Sequence, residues 1–127
     1  MLTRLLLVVE DTPSFATTAS WTLELARALS ARLFALCTIP TAEAEERAWS
    51  MLYELEDDAF AMGVRISLLL EQGEAMLQVI TASNDYSIDA VIISIDSSIQ
   101  PADLIKRSLC PVVVVKSPRR CNVEKDC

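Results

Sequence analysis

The segment DAVIISIDSSIQPADLIKRSLCPVVVV, residues 89–115, decides the fold. Two of its runs, at 90–95 and 112–115, have the unbroken Val/Ile character of strands that are buried on both faces. Between them, Pro101 suits the first position of a short helix. The apolar face of that helix would comprise Leu104, Ile105 and Leu109. This order of elements predicts two parallel strands joined by a helical crossover.

The rest of the chain repeats the alternation. Apolar runs at 4–10, 32–39 and 64–71 predict three further strands, and a helical pattern follows each of them. Ser14 is a candidate N-cap for the first helix, and Gly63 a candidate C-terminal cap for the second, at about 42–62. The predicted buried stripes are Trp21, Leu25, Ala28 and Leu29, widened by Leu23 and Ala26, in the first helix; Ala48, Leu52, Leu55, Ala59 and Met62 in the second; and Met76, Val79 and Ile80 in the third, at about 74–84.

Five apolar strands that alternate with helices predict an α/β fold. We expect a five-stranded parallel sheet covered by helices on both faces, a doubly wound α/β/α sandwich. No internal repeat or linker divides the chain. The pattern therefore predicts one domain over residues 1–118 and a flexible tail over 119–127.

Composition narrows the function. The 127 residues carry a net charge of −7, which disfavours nucleic-acid binding, and no histidine, which removes the usual general base and metal ligand. The four cysteines form no CxxC pair, so no metal site is expected. No apolar run is long enough to span a membrane, and the N-terminus lacks the pattern of a signal peptide. We expect a cytoplasmic, non-enzymatic protein that binds no membrane.

Ligands of such sheets bind at the carboxyl ends of the strands, where the strand order reverses. The polar residues that follow the predicted strands are therefore the candidates for a site. They include Glu10, Asp11 and Thr12, Thr38 and Thr41, Gln72 and Gly73, Asp96, Ser97 and Ser98, and Lys116 and Ser117.

The chain resembles the universal stress protein family up to about residue 118. The opening LLLVVEDTPSFATTASWTLELARALSARLFALCTIP is similar to the first strand, helix and strand of that family. The long acidic second helix, EQGE after the third strand, DAVIIS and the closing CPVVVV extend the likeness. The resemblance implies the fold of the adenine nucleotide alpha hydrolase-like proteins and a homodimer formed through the last strand. Val112, Val113, Val114 and Val115 are then the interface candidates, although buried sheet core is the other interpretation of them.

Nucleotide-binding members carry G-x-x-G, nine residues and G-[ST] after the fourth strand. Aligned back from Cys110 and Pro111, this sequence places Ser98 and Ile99 where the Gly-Ser would fall. Its only glycines are Gly63 and Gly73. The resemblance therefore implies a member without the glycine-rich ATP-binding motif, and we expect no cofactor.

Three hypotheses follow from these observations. The first is a stress-response module that acts through dimerisation or partner binding without ATP. The second is a protein that still binds AMP, ADP or ATP through Asp11, Thr38, Ser97 and Ser98, although Asp11 equally fits a turn acid. The third is a receiver-like phosphoacceptor domain, suggested by the pair Glu10–Asp11 and by Lys116, with Glu71 where the acceptor aspartate belongs.

Overall fold

A computed structural model describes residues 2–116, and the predicted α/β fold is confirmed. The strands are β1 (Arg4–Val9), β2 (Arg32–Ile39), β3 (Ile66–Gln72), β4 (Ala90–Ser94) and β5 (Val112–Val115). The helices are α1 (Phe15–Leu29), α2 (Glu45–Ala61), α3 (Ala75–Asp85) and α4 (Pro101–Arg107), with a 3-10 turn at Ala42–Ala44 before α2. The predicted boundary at 118 and the tail at 119–127 lie outside the described residues.

The five strands form one parallel sheet in the order β3-β2-β1-β4-β5. β1 lies at the centre, where Leu5 pairs with Leu33 of β2 on one side and with Ala90 of β4 on the other. Residues 5–9 of β1 are all buried, as the unbroken apolar run predicts for a central parallel strand.

Helices cover both faces of the sheet, which confirms the doubly wound arrangement. Leu5, Leu7 and Val9 pack on one face with α1 and α2. Leu6 and Val8 pack on the other face with α3 and α4. The alternation of side chains along a strand thus divides the core into two layers, one on each side of the sheet.

The predicted buried stripe of α1 is only partly confirmed. Leu23 and Ala26 are buried as predicted, but Trp21 and Leu29 are 41% and 40% exposed, and Ala28 is exposed as well. The other buried residues of this helix are Thr18, Ala19 and Thr22. The two threonines can be buried because the hydroxyl of Thr22 donates to the Thr18 carbonyl at 2.7 Å, and the Ser94 hydroxyl donates to Thr18 Oγ1 at 2.8 Å. The proposed N-cap Ser14 makes no side-chain capping bond.

The stripe predicted for α2 is confirmed, with Ala48, Leu52, Leu55 and Ala59 buried. Gly63 follows this helix with a φ of +70°, a conformation that favours glycine, and thus ends α2 as predicted. The apolar face predicted for α4 is wrong for two of its three residues. Leu104 is buried, but Ile105 is 59% and Leu109 is 93% exposed.

Several boundaries differ from the predicted ones. β4 ends at Ser94, because Ile95 already lies in the following turn and is 52% exposed. β3 begins at Ile66 and includes Gln72, and α3 begins at Ala75. None of the helices in the described residues is sufficiently long and apolar to cross a membrane.

Candidate functional site

The strand order reverses between β1 and β4, so the ligand crevice of this topology lies at the carboxyl ends of these two strands. Chain segments 10–14 and 95–100 meet there. The first leads from β1 into α1, and the second leads from β4 into α4. The chemistry of the site depends on which groups these segments present.

The Glu10 carboxylate joins these two segments by hydrogen bonds. Its carboxylate accepts hydrogen bonds from the Ser97 hydroxyl, from the Ser98 hydroxyl at 2.5 Å and from the Ser98 backbone N–H at 3.0 Å. The Ser97 hydroxyl oxygen also accepts the N–H of Ile99 at 3.1 Å, which fixes the turn. The donors of this turn that an anionic ligand would use are therefore already bound to a carboxylate of the chain.

Asp96 acts in the same way at the start of α1. Its carboxylate accepts the backbone N–H of Ser14 at 3.0 Å, just before the first residue of that helix. Burial opposes the ionisation of Asp96, but the nearby Thr12 hydroxyl and the hydrogen bond from the Ser14 N–H outweigh it and lower its pKa. The helix N-terminus, where related folds hold a phosphate, thus faces an ionised side chain.

A crevice of about 360 Å³ opens beside Glu10. It brings three of the four predicted contacts together, since Asp11, Thr38 and Ser98 all line it. Ser97 is the fourth, and it reaches this crevice only through its hydrogen bond to Glu10. Apolar side chains of β2 and α2, including Ile39, Ala48 and Met51, complete the wall.

Asp11 pairs with Arg47 of α2. The Arg47 Nη2 atom lies 3.2 Å from Asp11 Oδ2, and both side chains are 66% exposed. Water screens a pair this exposed, so it contributes little to stability. Asp11 nevertheless offsets the positive charge of Arg47, which could otherwise attract an anion into the crevice.

Cys37 lies under the crevice at the end of β2, beside Val9. Burial raises the pKa of its thiol to about 11, and the negative charge of Glu10 adds to this shift. The thiol therefore stays protonated and unreactive at neutral pH. Among residues 2–116, no group of three or more acids and cysteines comes together that could hold a metal ion.

Two residues of the site are not among the four predicted nucleotide contacts. The sequence marks Glu10 as a polar residue that follows β1 and as half of a receiver-like acidic pair, and it does not single out Arg47. The acidic pair at the end of a central strand was a signal that one of the two side chains points into the crevice. The hydrogen bonds of Glu10 to Ser97 and Ser98 join residues 87 and 88 positions apart, and no local pattern predicts such contacts.

The receiver-like hypothesis does not fit this topology. Receiver domains have the strand order 2-1-3-4-5, in which the third strand is internal. Here β3 lies at the edge of the sheet, and β2 and β1 separate it from β4. Glu71, near the end of β3, is exposed. Glu71 and the pair Glu10–Asp11 are therefore separated by β2 rather than gathered in one acidic pocket.

The fold and the crevice define a doubly wound α/β protein whose strand order matches the first five strands of the order 3-2-1-4-5-6. No family model matches the sequence, and no curated protein matches it significantly. Solved structures do match. A universal stress protein in complex with cAMP shares 16% identity at a TM-score of 0.77, over 92% of this chain and 98% of its own.

Two further solved structures agree with this result. The universal stress protein of Archaeoglobus fulgidus in complex with dAMP has a TM-score of 0.76 at 17% identity, over 90% of this chain and 98% of its own. A universal stress protein family member of Arabidopsis thaliana with AMP bound has a TM-score of 0.72 at 15% identity, over 96% of this chain and 94% of its own. The chain therefore has the universal stress protein fold.

Proposed function

We propose that this chain is a universal-stress-protein-like regulatory module that acts by association, with a second copy of itself or with another protein, and without ATP or catalysis. The proposal includes membership of that family and a cytoplasmic location. One observation carries it: the carboxylate of Glu10 fills the anion position between β1 and β4 and takes the donors of Ser97 and Ser98.

The electrostatics of the crevice support this proposal. A triphosphate would have to approach the carboxylates of Glu10, Asp11 and Asp96 in a chain that carries a net charge of −7. It would also need backbone N–H groups that accept a close approach, and the sequence contains no glycine after Gly73. The donors of Ser97 and Ser98, which could compensate for the desolvation and repulsion of the phosphates, are already bound to Glu10.

The last strand supports the association. β5 pairs only with β4 in the described chain, so its other edge is exposed, and Val112, Val113 and Val114 are only half-buried. Leu109, three residues before β5, exposes further apolar surface. An unpaired apolar edge strand is a site where a second strand can add, and we propose that a homodimer forms there.

The crevice itself favours a second candidate, which is the binding of an adenine nucleoside or monophosphate. Asp11, Thr38 and Ser98 line the same cavity of about 360 Å³. The structural neighbours were solved with cAMP, dAMP and AMP. In this candidate, the base and ribose would occupy the apolar part of the crevice while Glu10 limits the phosphates.

Calorimetric titration of the purified protein with ATP, AMP and adenosine tests the proposal. We expect no binding of ATP at millimolar concentration and no nucleotide released when the protein is denatured. Micromolar binding of AMP or adenosine without ATP would select the second candidate. Micromolar binding of ATP would overturn the proposal that the module works without it.

A further inference from the structure

A second and larger groove, of about 500 Å³, runs between α1 and α2, the two helices that cover the same face of the sheet. Its walls extend along α1 from Phe15 to Leu23 and along α2 from Arg47 to Ala61. At 1.5 Å per residue, the α2 wall is about 21 Å long. This is the length of a helix of about 14 residues, so the groove has the shape of a helix-binding site rather than a small-molecule pocket.

The floor of the groove is apolar. It is formed by Phe15 and Leu23 of α1 and by Met51 and Leu55 of α2. The wall on the α1 side is low, because it carries the small side chains of Ala16, Ala19 and Ser20. An apolar stripe of a partner could therefore reach the floor, where the flexible side chain of Met51 can adapt to varied partner shapes.

The rim of the groove is acidic. Asp11, Glu54 and Asp58 border it, and Glu10 closes one end. Arg47 is the only cation among the described lining residues, and it is paired with Asp11. The rim thus presents negative charge along the α2 side and at one end of the apolar floor, which complements a helix with basic residues beside an apolar stripe and repels an acidic one.

We propose that this groove binds a basic amphipathic helix of another protein, an inference that rests on the proposed function of association and names the partner's chemistry. The apolar stripe of the partner, with residues at i, i+3, i+4 and i+7, would lie on Phe15, Leu23, Met51 and Leu55. Its Lys and Arg side chains would pair with Glu54 and Asp58 at the rim. This surface is separate from the β5 edge, so a dimer could bind two such helices.

The probe is a synthetic helix of about 14 residues made of leucine and lysine, with the leucines on one stripe and a fluorescent label at one end. Fluorescence anisotropy measures its affinity for the full chain. We expect saturable binding that weakens as salt increases. The control is the same peptide with every lysine replaced by glutamate, which should bind at least tenfold more weakly.

Matched variants locate the contact. We expect Asp58→Lys and Glu54→Lys each to weaken peptide binding at least fivefold. The controls are Asp57→Lys and Glu56→Lys, which make the same change of charge on the same helix but lie outside the groove. These should change the affinity less than twofold, because a general attraction to an acidic protein would be affected equally by all four variants.

A steric variant tests the groove without a change of charge. Ser20 is exposed on the α1 wall, so Ser20→Trp should keep the circular dichroism spectrum and melting temperature while reducing peptide affinity at least tenfold. Unchanged affinity in Ser20→Trp, equal losses in Asp57→Lys and Asp58→Lys, or no binding by the wild type would overturn the proposal. So would a fall in particle mass in Ser20→Trp, since the occupant would then be a second copy. None of these outcomes alters the nucleotide titration, which tests the proposed function separately.

Discussion

Glu10 and Cys37 lie near the carboxyl ends of neighbouring strands, and the charge of Glu10 affects the chemistry of Cys37. The carboxylate of Glu10 is oriented by Ser97 and Ser98, while the thiol of Cys37 is buried beneath it. Burial, with the charge of Glu10 added to it, raises the pKa of Cys37 to about 11. The Glu10 carboxylate, which would repel a phosphate ligand, thus also disfavours ionisation of Cys37, the only buried thiol among the described residues.

The thiol of Cys37 should consequently be unreactive. A rise of its pKa from 9.0 to about 11 reduces the thiolate fraction at pH 8 about a hundredfold. We expect alkylation of Cys37 by iodoacetamide, followed by peptide mass spectrometry, to be at least that much slower in folded protein than in urea. Because the folded pKa is raised, its contribution to stability is intact below pH 9 and lost as the pH rises towards 11. Equal alkylation rates in the folded and unfolded protein would contradict this assignment.

At the scale of elements, Asp89 fastens the beginning of β1 to that of β4. Its carboxylate accepts the backbone N–H groups of Thr3 and Arg4, each at 2.9 Å, and the Thr3 hydroxyl at 3.1 Å. The two backbone hydrogen bonds are the main cause of its lowered pKa. A lowered pKa stabilises the fold above the unfolded value, and the contribution is lost as the pH falls below about 4.

We expect Asp89→Asn to reduce the free energy of unfolding by roughly 1 kcal/mol at pH 6, because the exposed carboxylate makes charge-assisted bonds that water weakens. The difference from wild type should shrink as the pH is lowered to 3, where the wild-type carboxylate is protonated. Urea denaturation at both pH values measures it. Asp85→Asn is the matched control, since no hydrogen bond or ion pair joins Asp85 to β1 within residues 2–116. A difference that stays constant between pH 6 and pH 3 would argue against the lowered pKa.

The helices show where sequence patterns suffice. In α2, hydrophobicity and burial coincide, and the predicted stripe is confirmed. In α1, the buried face includes Thr18 and Thr22, whose hydroxyls are satisfied by hydrogen bonds inside the fold, while Trp21 points outward. Periodicity counts apolar residues and takes no account of satisfied hydroxyls, so it included Leu23 and Ala26 correctly but added Trp21 and missed Thr18 and Thr22.

The candidate site at the carboxyl ends of the strands is also only partly predictable from the sequence. Parallel topology places the residues after each strand at one edge of the sheet, so Asp11, Thr38 and Ser98 could be predicted to meet. The occupation of the anion position by Glu10 could not, because it depends on the side-chain direction of one residue and on a turn 87 residues away. Strand order was also beyond the sequence pattern, and it is the order that excludes a receiver-like pocket.

For the whole molecule, the exposed edge of β5 predicts self-association. Leu109, 93% exposed at the start of this edge, should contribute to the interface, whereas Phe60, 87% exposed on α2, should not. We expect light scattering to give the mass of two chains for wild type and for Phe60→Lys, and the mass of one chain for Leu109→Lys. Both residues are exposed, so neither change should disturb folding. A single-chain mass for the wild type would rule out the dimer.

We infer that a carboxylate of the chain occupies the anion position of the fold. Calorimetric titration of AMP into wild type, Glu10→Ala and Glu71→Ala tests it most directly. Glu71→Ala removes the same charge from the same edge of the sheet without freeing Ser97 or Ser98. We expect Glu10→Ala to bind AMP at least tenfold more tightly than the other two proteins, because phosphate gains the released donors. Equal affinities of Glu10→Ala and Glu71→Ala, or micromolar AMP binding by the wild type, would contradict it.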